Sequence, residues 1–177
     1  MRWPDKGRKP VYKWALLGIL LSCALVLGVA EHALPPIVSL PGVRLGLPNA
    51  AIMLALYLFP FPETLILTAL KCVLTALLTG SLPSLLHSLS GSLLSLCVMY
   101  PMARLARGRI GPVGVSVTGA ICHNMGQLLC ASLLMQTFLF PYLPVLIVSG
   151  ALAGTAVGWA TALLLPRFLA WRKPEGH

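Results

Sequence analysis

The segment LTALKCVLTALL (residues 67–78) places one lysine in the middle of a run of apolar and small side chains. With its flanks it forms a stretch over 63–79, within the ~17–25 residues that a membrane-spanning helix requires. A charged side chain at the centre of a bilayer costs about 2.5–3.5 kcal/mol on insertion scales. The segment therefore predicts a membrane helix in which Lys71 gains a compensating interaction.

The composition places the whole chain in the same class. Hydrophobic residues make up 58% of it, charged residues 10%, and the mean hydropathy is +0.88. A soluble domain carries charged residues at roughly a quarter of its positions. We therefore predict an all-α polytopic membrane protein, a six-helix transmembrane bundle. Its predicted spans are 14–30, 45–59, 63–79, 84–103, 111–135 and 141–166.

The second span is the shortest, so it is expected to be tilted, broken or extended into its flanks. Joints such as PFP at 60–62 and GSLP at 80–83 leave no room for a second domain. We predict one membrane domain over 14–166, flanked by basic cytoplasmic tails at 1–13 and 167–177.

The basic residues that give the chain its net charge of +9 are distributed as the predicted topology requires. If the N-terminus is cytoplasmic, every Lys and Arg except Arg44 and Lys71 falls on the cytoplasmic side. Such asymmetry is typical of the positive-inside rule. It indicates a multi-pass protein of the cytoplasmic membrane with both termini inside. The basic residues are thus expected to contact the lipid bilayer, and nucleic acid is not expected as a partner.

Lys71 belongs to a polar stripe along the third predicted helix. The stripe consists of Thr64, Thr68, Lys71, Thr75 and Thr79. Threonines can bond to carbonyls of their own helix, and the stripe could simply pack on a neighbour, but neither accounts for the lysine. A lysine near a helix end can extend to the interface, whereas Lys71 lies about 12 Å along the axis from Glu63 at ~1.5 Å per residue. We expect it to face a cavity or a ligand.

Six further polar residues fall in or beside the spans. They are Arg44 at the outer edge of the second span, Asn49 within it, His87 in the fourth span, and His123, Asn124 and Gln127 in the fifth. In the predicted topology they lie near mid-depth or in the outer half. They could form a hydrogen-bond cluster without a ligand, since unpaired polar groups are costly in lipid. Alternatively they line, with Lys71, one outward-facing pocket, whose cationic bias suits a small polar or anionic molecule.

Three runs carry a family resemblance: LPGVRLGLPNAAIMLALYLF (40–59), LHSLSGSLLSLCVM (86–99) and GVSVTGAICHNMGQLLCA (114–131). They resemble the Gx transporter family, also labelled heptaprenyl diphosphate synthase component I. Its members look like S components of energy-coupling factor transporters. The resemblance implies a receptor that binds a vitamin-like molecule outside the cell and associates with a transmembrane coupling protein and cytoplasmic ATPases. It also implies a docking seam of small residues on the first helix, at Gly18, Ser22, Ala24 and Gly28.

The sequence contains no residues that would support the synthase activity named in that label. Prenyl diphosphate synthases hold magnesium with clustered aspartates, because Mg²⁺ prefers oxygen ligands, and this chain has a single aspartate, Asp5. No Walker A loop or dinucleotide glycine pattern occurs. We therefore expect no catalytic residues, no metal and no cofactor. Two alternatives to a receptor remain: a noncatalytic membrane subunit associated with heptaprenyl diphosphate synthase or isoprenoid-quinone metabolism, and a structural subunit of another membrane complex.

Overall fold

The computed structural model describes residues 10–33, 46–105 and 109–172. Within these ranges it has six α-helices, one 3₁₀ turn at Phe140–Tyr142, and no strand. The helices are α1 (Pro10–Ala33), α2 (Asn49–Leu58), α3 (Phe61–Thr79), α4 (Leu82–Leu105), α5 (Pro112–Met135) and α6 (Leu143–Arg172). The predicted all-α class is confirmed, although α1 begins and α6 ends within the stretches predicted as tails.

Five of these helices are long and apolar enough to cross a membrane, and α2 is the exception. Its 10 residues extend only ~15 Å, about half of a ~30 Å hydrocarbon core. The prediction of six full spans is therefore not confirmed. Gly46 has a φ of +76° and breaks the helix at its start, and Pro60, with a ψ of 166°, prevents its continuation into α3.

The half-length helix α2 occupies the centre of the bundle. Its residues Ala51–Leu56 are all buried, and it contacts α1, α3, α4 and α6. A helix that is apolar on all sides is expected to be enclosed by its neighbours. One side of it packs with Leu16 and Leu20 of α1, and the other with Leu96 and Met99 of α4. The core of the protein is thus built around α2.

The C-terminal end of α2 is held by Arg104, from the last turn of α4. Its Nη2 donates hydrogen bonds to the carbonyl oxygens of Phe59, at 2.7 Å, and Leu56, at 3.4 Å. The last carbonyls of a helix lack partners within it, and a cation near them is favourable.

Close by, Lys13 of α1 forms an ion pair with Glu63 of α3. We call this side, with Lys13, Arg104 and Arg109, the basic end of the bundle.

Glycines bring α4, α5 and α6 into close contact. On α6, Gly150, Gly154 and Gly158 recur every four residues, and a Cβ at Gly154 would lie 2.7 Å from the Cα of Val117 on α5. A Cβ at Gly126 of α5 would lie 2.8 Å from the Cα of Gly91 on α4. Small residues at this spacing let membrane helices approach each other closely. The three helices therefore pack backbone against backbone.

Candidate functional site

A small internal cavity lies beside Lys71. Its volume is about 20 Å³, enough for one or two water molecules at ~10–15 Å³ each. Its wall contains residues of α1 to α5 and of the turn before α2. The titratable and amide side chains in this wall are Glu31, Asn49, Lys71, His123 and Gln127. Four of the predicted site residues, on three helices, thus meet at one place.

The cavity lies deep in the bundle. At ~1.5 Å per residue, Lys71 is about 12 Å from Thr79 at one end of α3 and about 15 Å from Phe61 at the other. His123 is similarly about 18 Å from Met135, the end of α5 away from the basic end. The site is therefore near mid-depth, and α2 begins at it with its N-terminus.

Lys71 is buried, with 3% of its surface exposed. Its Nζ donates a hydrogen bond to Ser92 Oγ of α4, at 3.3 Å. Across the described ranges no carboxylate oxygen lies within 4.0 Å of this ammonium. An ammonium has three donors, so the serine leaves most of its hydrogen-bonding capacity for other groups at the cavity.

Side chains of α3 and α4 hold the partner of Lys71 in place. Cys72 Sγ lies 3.6 Å from Ser92 Oγ, and Ser88 Oγ donates to Cys72 Sγ at 3.3 Å. Cys72 is fully buried, so this chain of contacts is inside the protein. It fixes Ser92, and through it the lysine, against the α4 side of the cavity.

Two buried oxygen atoms of cavity residues have no hydrogen-bond partner in the described protein: Thr75 Oγ1 and Gln127 Oε1. A buried acceptor without a partner costs about 1–3 kcal/mol. A water molecule or a ligand in the cavity would remove this cost. Gln127 and His123 are brought here by Gly91, where a Cβ would lie 2.7 Å from the His123 carbonyl oxygen.

Two other predicted binding residues, Asn124 and His87, do not line this cavity. Asn124 donates from Nδ2 to the carbonyl oxygen of Leu146, at 2.9 Å, and so joins α5 to α6. Because successive helix residues are rotated by ~100°, Asn124 is directed towards α6, whereas His123 lines the cavity. His87 is half-buried, and its Nδ1 lies 2.6 Å from the Pro83 carbonyl oxygen of its own helix. Arg44 lies outside the described residues.

The predicted docking seam on α1 divides between two environments. Gly18 and Ser22 are exposed on the outer surface, and nothing lies within 4 Å of a Cβ placed at Gly18. Ala24 is fully buried, and a Cβ at Gly28 would lie 3.3 Å from Thr75 Oγ1. The second pair therefore packs inside the bundle, where a partner protein does not reach it.

Glu31 is a cavity residue that the sequence analysis did not assign to the site. It is 8% exposed, and its Oε1 accepts a hydrogen bond from the Gly46 backbone N–H at 2.6 Å. The cavity thus contains a carboxylate as well as an ammonium, which reduces the predicted cationic bias. The sequence did contain an indication of this role, because Glu31 is the only acidic residue at a span terminus on the side opposite the basic end.

Apolar spanning helices around a buried polar cavity define a multi-pass α-helical membrane protein with an internal polar site. The chain matches the family model described as heptaprenyl diphosphate synthase component I over residues 20–164. It belongs to this family, and the resemblance under that label is confirmed. No curated protein and no solved structure matches the chain.

Proposed function

We propose that this protein is the substrate-binding membrane component of an energy-coupling factor type uptake transporter. The cavity at Lys71 would capture a small polar or anionic vitamin-like molecule. One observation carries the proposal: a lysine in the middle of a membrane helix is buried, bonds a neutral serine, and lines a cavity with polar groups of four other helices. Intramembrane ionisable residues are rare and usually mark sites of function.

The N-terminus of α2 adds support for a polar or anionic ligand. Asn49, its first residue, lines the cavity. The N-terminus of a helix carries a partial positive charge, and transporters use the N-termini of half-length helices to bind anionic groups near the bilayer midplane. The helix α2 is too short to span the membrane, but its length fits a helix whose N-terminus binds an anionic group near the midplane.

The topology we propose places the basic end in the cytoplasm. Lys13, Arg104, Arg109 and Arg167 all lie on this side of the helices, as the positive-inside rule favours. Both termini are then cytoplasmic, in the cell membrane, and the cavity near mid-depth lies between the N-terminus of α2 and the outer face, because α2 fills the cytoplasmic side. The site is thereby oriented for capture from outside.

Ligand binding requires a wider cavity than the one described. Sites for small molecules usually enclose about 300–1,000 Å³, against about 20 Å³ here. We therefore assign the structure to a closed form that opens for the ligand. Energy for release would come from partner proteins, a transmembrane coupling protein and cytoplasmic ATPases, and Gly18 and Ser22 are the seam residues available for docking.

Native mass spectrometry of the purified protein tests the proposal. Wild type should release a small molecule, Lys71→Met should not, and the control Arg109→Met, in an exposed turn, should behave as wild type. Release of lipid alone by folded wild-type protein would contradict a receptor. Equal retention of the molecule by the Lys71→Met variant would show that Lys71 does not contribute to its binding.

The family description favours a second candidate, a noncatalytic membrane subunit associated with heptaprenyl diphosphate synthase. Affinity purification of the tagged chain from native membranes separates the two. Co-purification of a coupling ATPase supports the receptor. Co-purification of a prenyl diphosphate synthase, with higher synthase activity in its presence, supports the subunit.

A further inference from the structure

We propose that the ligand site has a second compartment beside the N-terminus of α2, in which Ser95 binds a neutral hydroxyl or carbonyl group of the ligand. Lys71 and Ser95 then hold the two ends of one elongated molecule, of which the first end is anionic or strongly polar and the second is neutral. This role for Ser95 rests on the proposed function and adds a requirement on the ligand to it.

A second small cavity adjoins the one at Lys71. Its volume is about 10 Å³, close to the smallest space that holds one water molecule. Its wall shares Gly46 and Asn49 with the first cavity and continues with residues of α4, α5 and α6. The turn before α2 and the first residue of α2 therefore separate two neighbouring cavities.

Ser95 presents to this second cavity a polar atom that the described protein does not bond. The residue is 2% exposed and lines the wall, and its Oγ has no hydrogen-bond partner among the described residues. This Oγ faces Gly119 of α5, also in the wall, 3.2 Å from the position of a Cβ there. The buried hydroxyls of Thr64, Thr68 and Thr161 instead bond carbonyl oxygens of their own helices, as is usual. Ser95 is therefore available to a molecule in the cavity.

The surroundings of Ser95 favour a neutral group. None of the described residues in this wall is titratable, and its polar side chains are those of Asn49, Ser95 and Ser116. A charge buried there without a partner would be costly, whereas a hydroxyl or carbonyl group fits a serine, which both donates and accepts. The charged end of a ligand thus belongs in the first cavity and a neutral hydrogen-bonding end in the second.

The register of α4 sets the separation of the two ends. Lys71 bonds Ser92, and Ser95 lies three residues further along the same helix, which is ~4.5 Å along the axis and ~60° around it. Both serines therefore lie on the same side of α4, and a short carbon chain between two polar groups covers the distance. Because Gly46 and Asn49 lie between the cavities, a molecule that reaches both must displace the turn before α2.

Three four-carbon probes test the second compartment: butyrate, 4-hydroxybutyrate and succinate, at equal concentration and ionic strength. They share one carboxylate and differ at the far end, which is a methyl group, a hydroxyl or a second carboxylate. 4-Hydroxybutyrate should raise the melting temperature of the wild type most, because butyrate offers no group to Ser95 and succinate would bury a second charge. Equal shifts with butyrate and 4-hydroxybutyrate, a larger shift with succinate, or no shift with any probe would overturn the proposal.

Ser95→Ala tests the residue itself. Because Ser95 Oγ is unbonded in the ligand-free protein, its removal should change the melting temperature by no more than about 2 °C. The affinity for 4-hydroxybutyrate should fall about 2–10-fold, the effect of one hydrogen bond, while that for butyrate stays the same. The matched control is Ser132→Ala, which removes another unbonded hydroxyl, outside both cavities, and should leave both affinities unchanged.

The variants also separate the second compartment from the receptor. Lys71→Met should abolish the shifts with both butyrate and 4-hydroxybutyrate, whereas Ser95→Ala should abolish only the difference between them. Persistence of that difference in Ser95→Ala, or a loss of stability without it, would overturn the role of Ser95 and leave the receptor in place. Failure of the receptor would be seen separately, as lipid alone in native mass spectrometry, and would overturn both.

Discussion

Arg104 Nη2 donates a hydrogen bond to the carbonyl oxygen of Phe59, 2.7 Å away, where α2 ends inside the bundle. At the other end of α2, Gly46 bonds Glu31, a residue of the cavity. The helix that begins at the site is therefore anchored at both ends by charged side chains of other helices. Removing either anchor should affect the site through the position of α2.

Arg104→Ala should lower the free energy of unfolding by about 1.5–3 kcal/mol, the range for hydrogen bonds to charged groups. The loss arises because the hydrogen bonds from Arg104 to the carbonyl oxygens of Leu56 and Phe59 would be removed. Denaturation in mixed micelles measures it. Arg109→Ala removes an exposed arginine and should change stability by no more than ~0.5 kcal/mol. Equal losses in the two variants would show that Arg104 does not hold α2.

Gly46→Ala should destabilise the protein more than Gly80→Ala. Both glycines have a positive φ, +76° and +65°, so alanine costs about 1–2 kcal/mol at either position. Only at Gly46 would the new Cβ approach a side chain, Asn49 Nδ2 at 2.9 Å, while nothing lies within 4 Å at Gly80. Thermal unfolding compares the pair, and a larger loss at Gly80 would contradict the described turn.

Gly154→Ala should destabilise the bundle by about 1–3 kcal/mol, as overpacking does, because the methyl group would collide with the backbone of α5. Gly18→Ala, on the open surface of α1, should instead be neutral or stabilising by up to ~1 kcal/mol, since alanine favours a helix over glycine. The same denaturation assay gives both values. Two losses of similar size would mean that α5 and α6 are not in backbone contact.

Asn124→Ala and Gln127→Ala should separate structure from binding. The asparagine joins α5 to α6, so its loss should cost about 1–3 kcal/mol of stability without reducing retention of the proposed ligand. The glutamine has an unbonded Oε1 at the cavity, so its replacement should reduce ligand retention with little loss of stability. Native mass spectrometry measures ligand retention, and thermal unfolding measures stability. Loss of retention in Asn124→Ala together with loss of stability in Gln127→Ala would refute the assignment.

The sequence predicted the fold class well because lipid imposes a simple rule on composition. It located Lys71 and the α5 residues His123 and Gln127 for the same reason, since polar groups in apolar spans are conspicuous. It is harder to predict whether an apolar helix spans the membrane or lies in the core of the bundle, because α2 has a composition that suits both. Its length is set by Gly46 and Pro60.

Contacts between helices were the part that could not be predicted. Glu31 and Lys71 are 40 positions apart in the chain, and nothing in their local sequence indicates that they share a cavity. Asn124 and His123 are adjacent, yet one bonds α6 and the other lines the site. Such assignments depend on the rotation of each helix, which the α4–α5 and α5–α6 glycine contacts determine.

Those glycine contacts also limit how the protein can move. No methyl group fits between the backbones of α5 and α6 at Gly154, or between those of α4 and α5 at Gly126. Helices in such contact cannot slide or tilt independently, so α4, α5 and α6 form a fixed frame. If the proposed ligand enters the cavity, the movement must come from α1, from α3 or from the turn before α2. Crosslinks that immobilise those elements should then block ligand binding, while crosslinks within the frame should not.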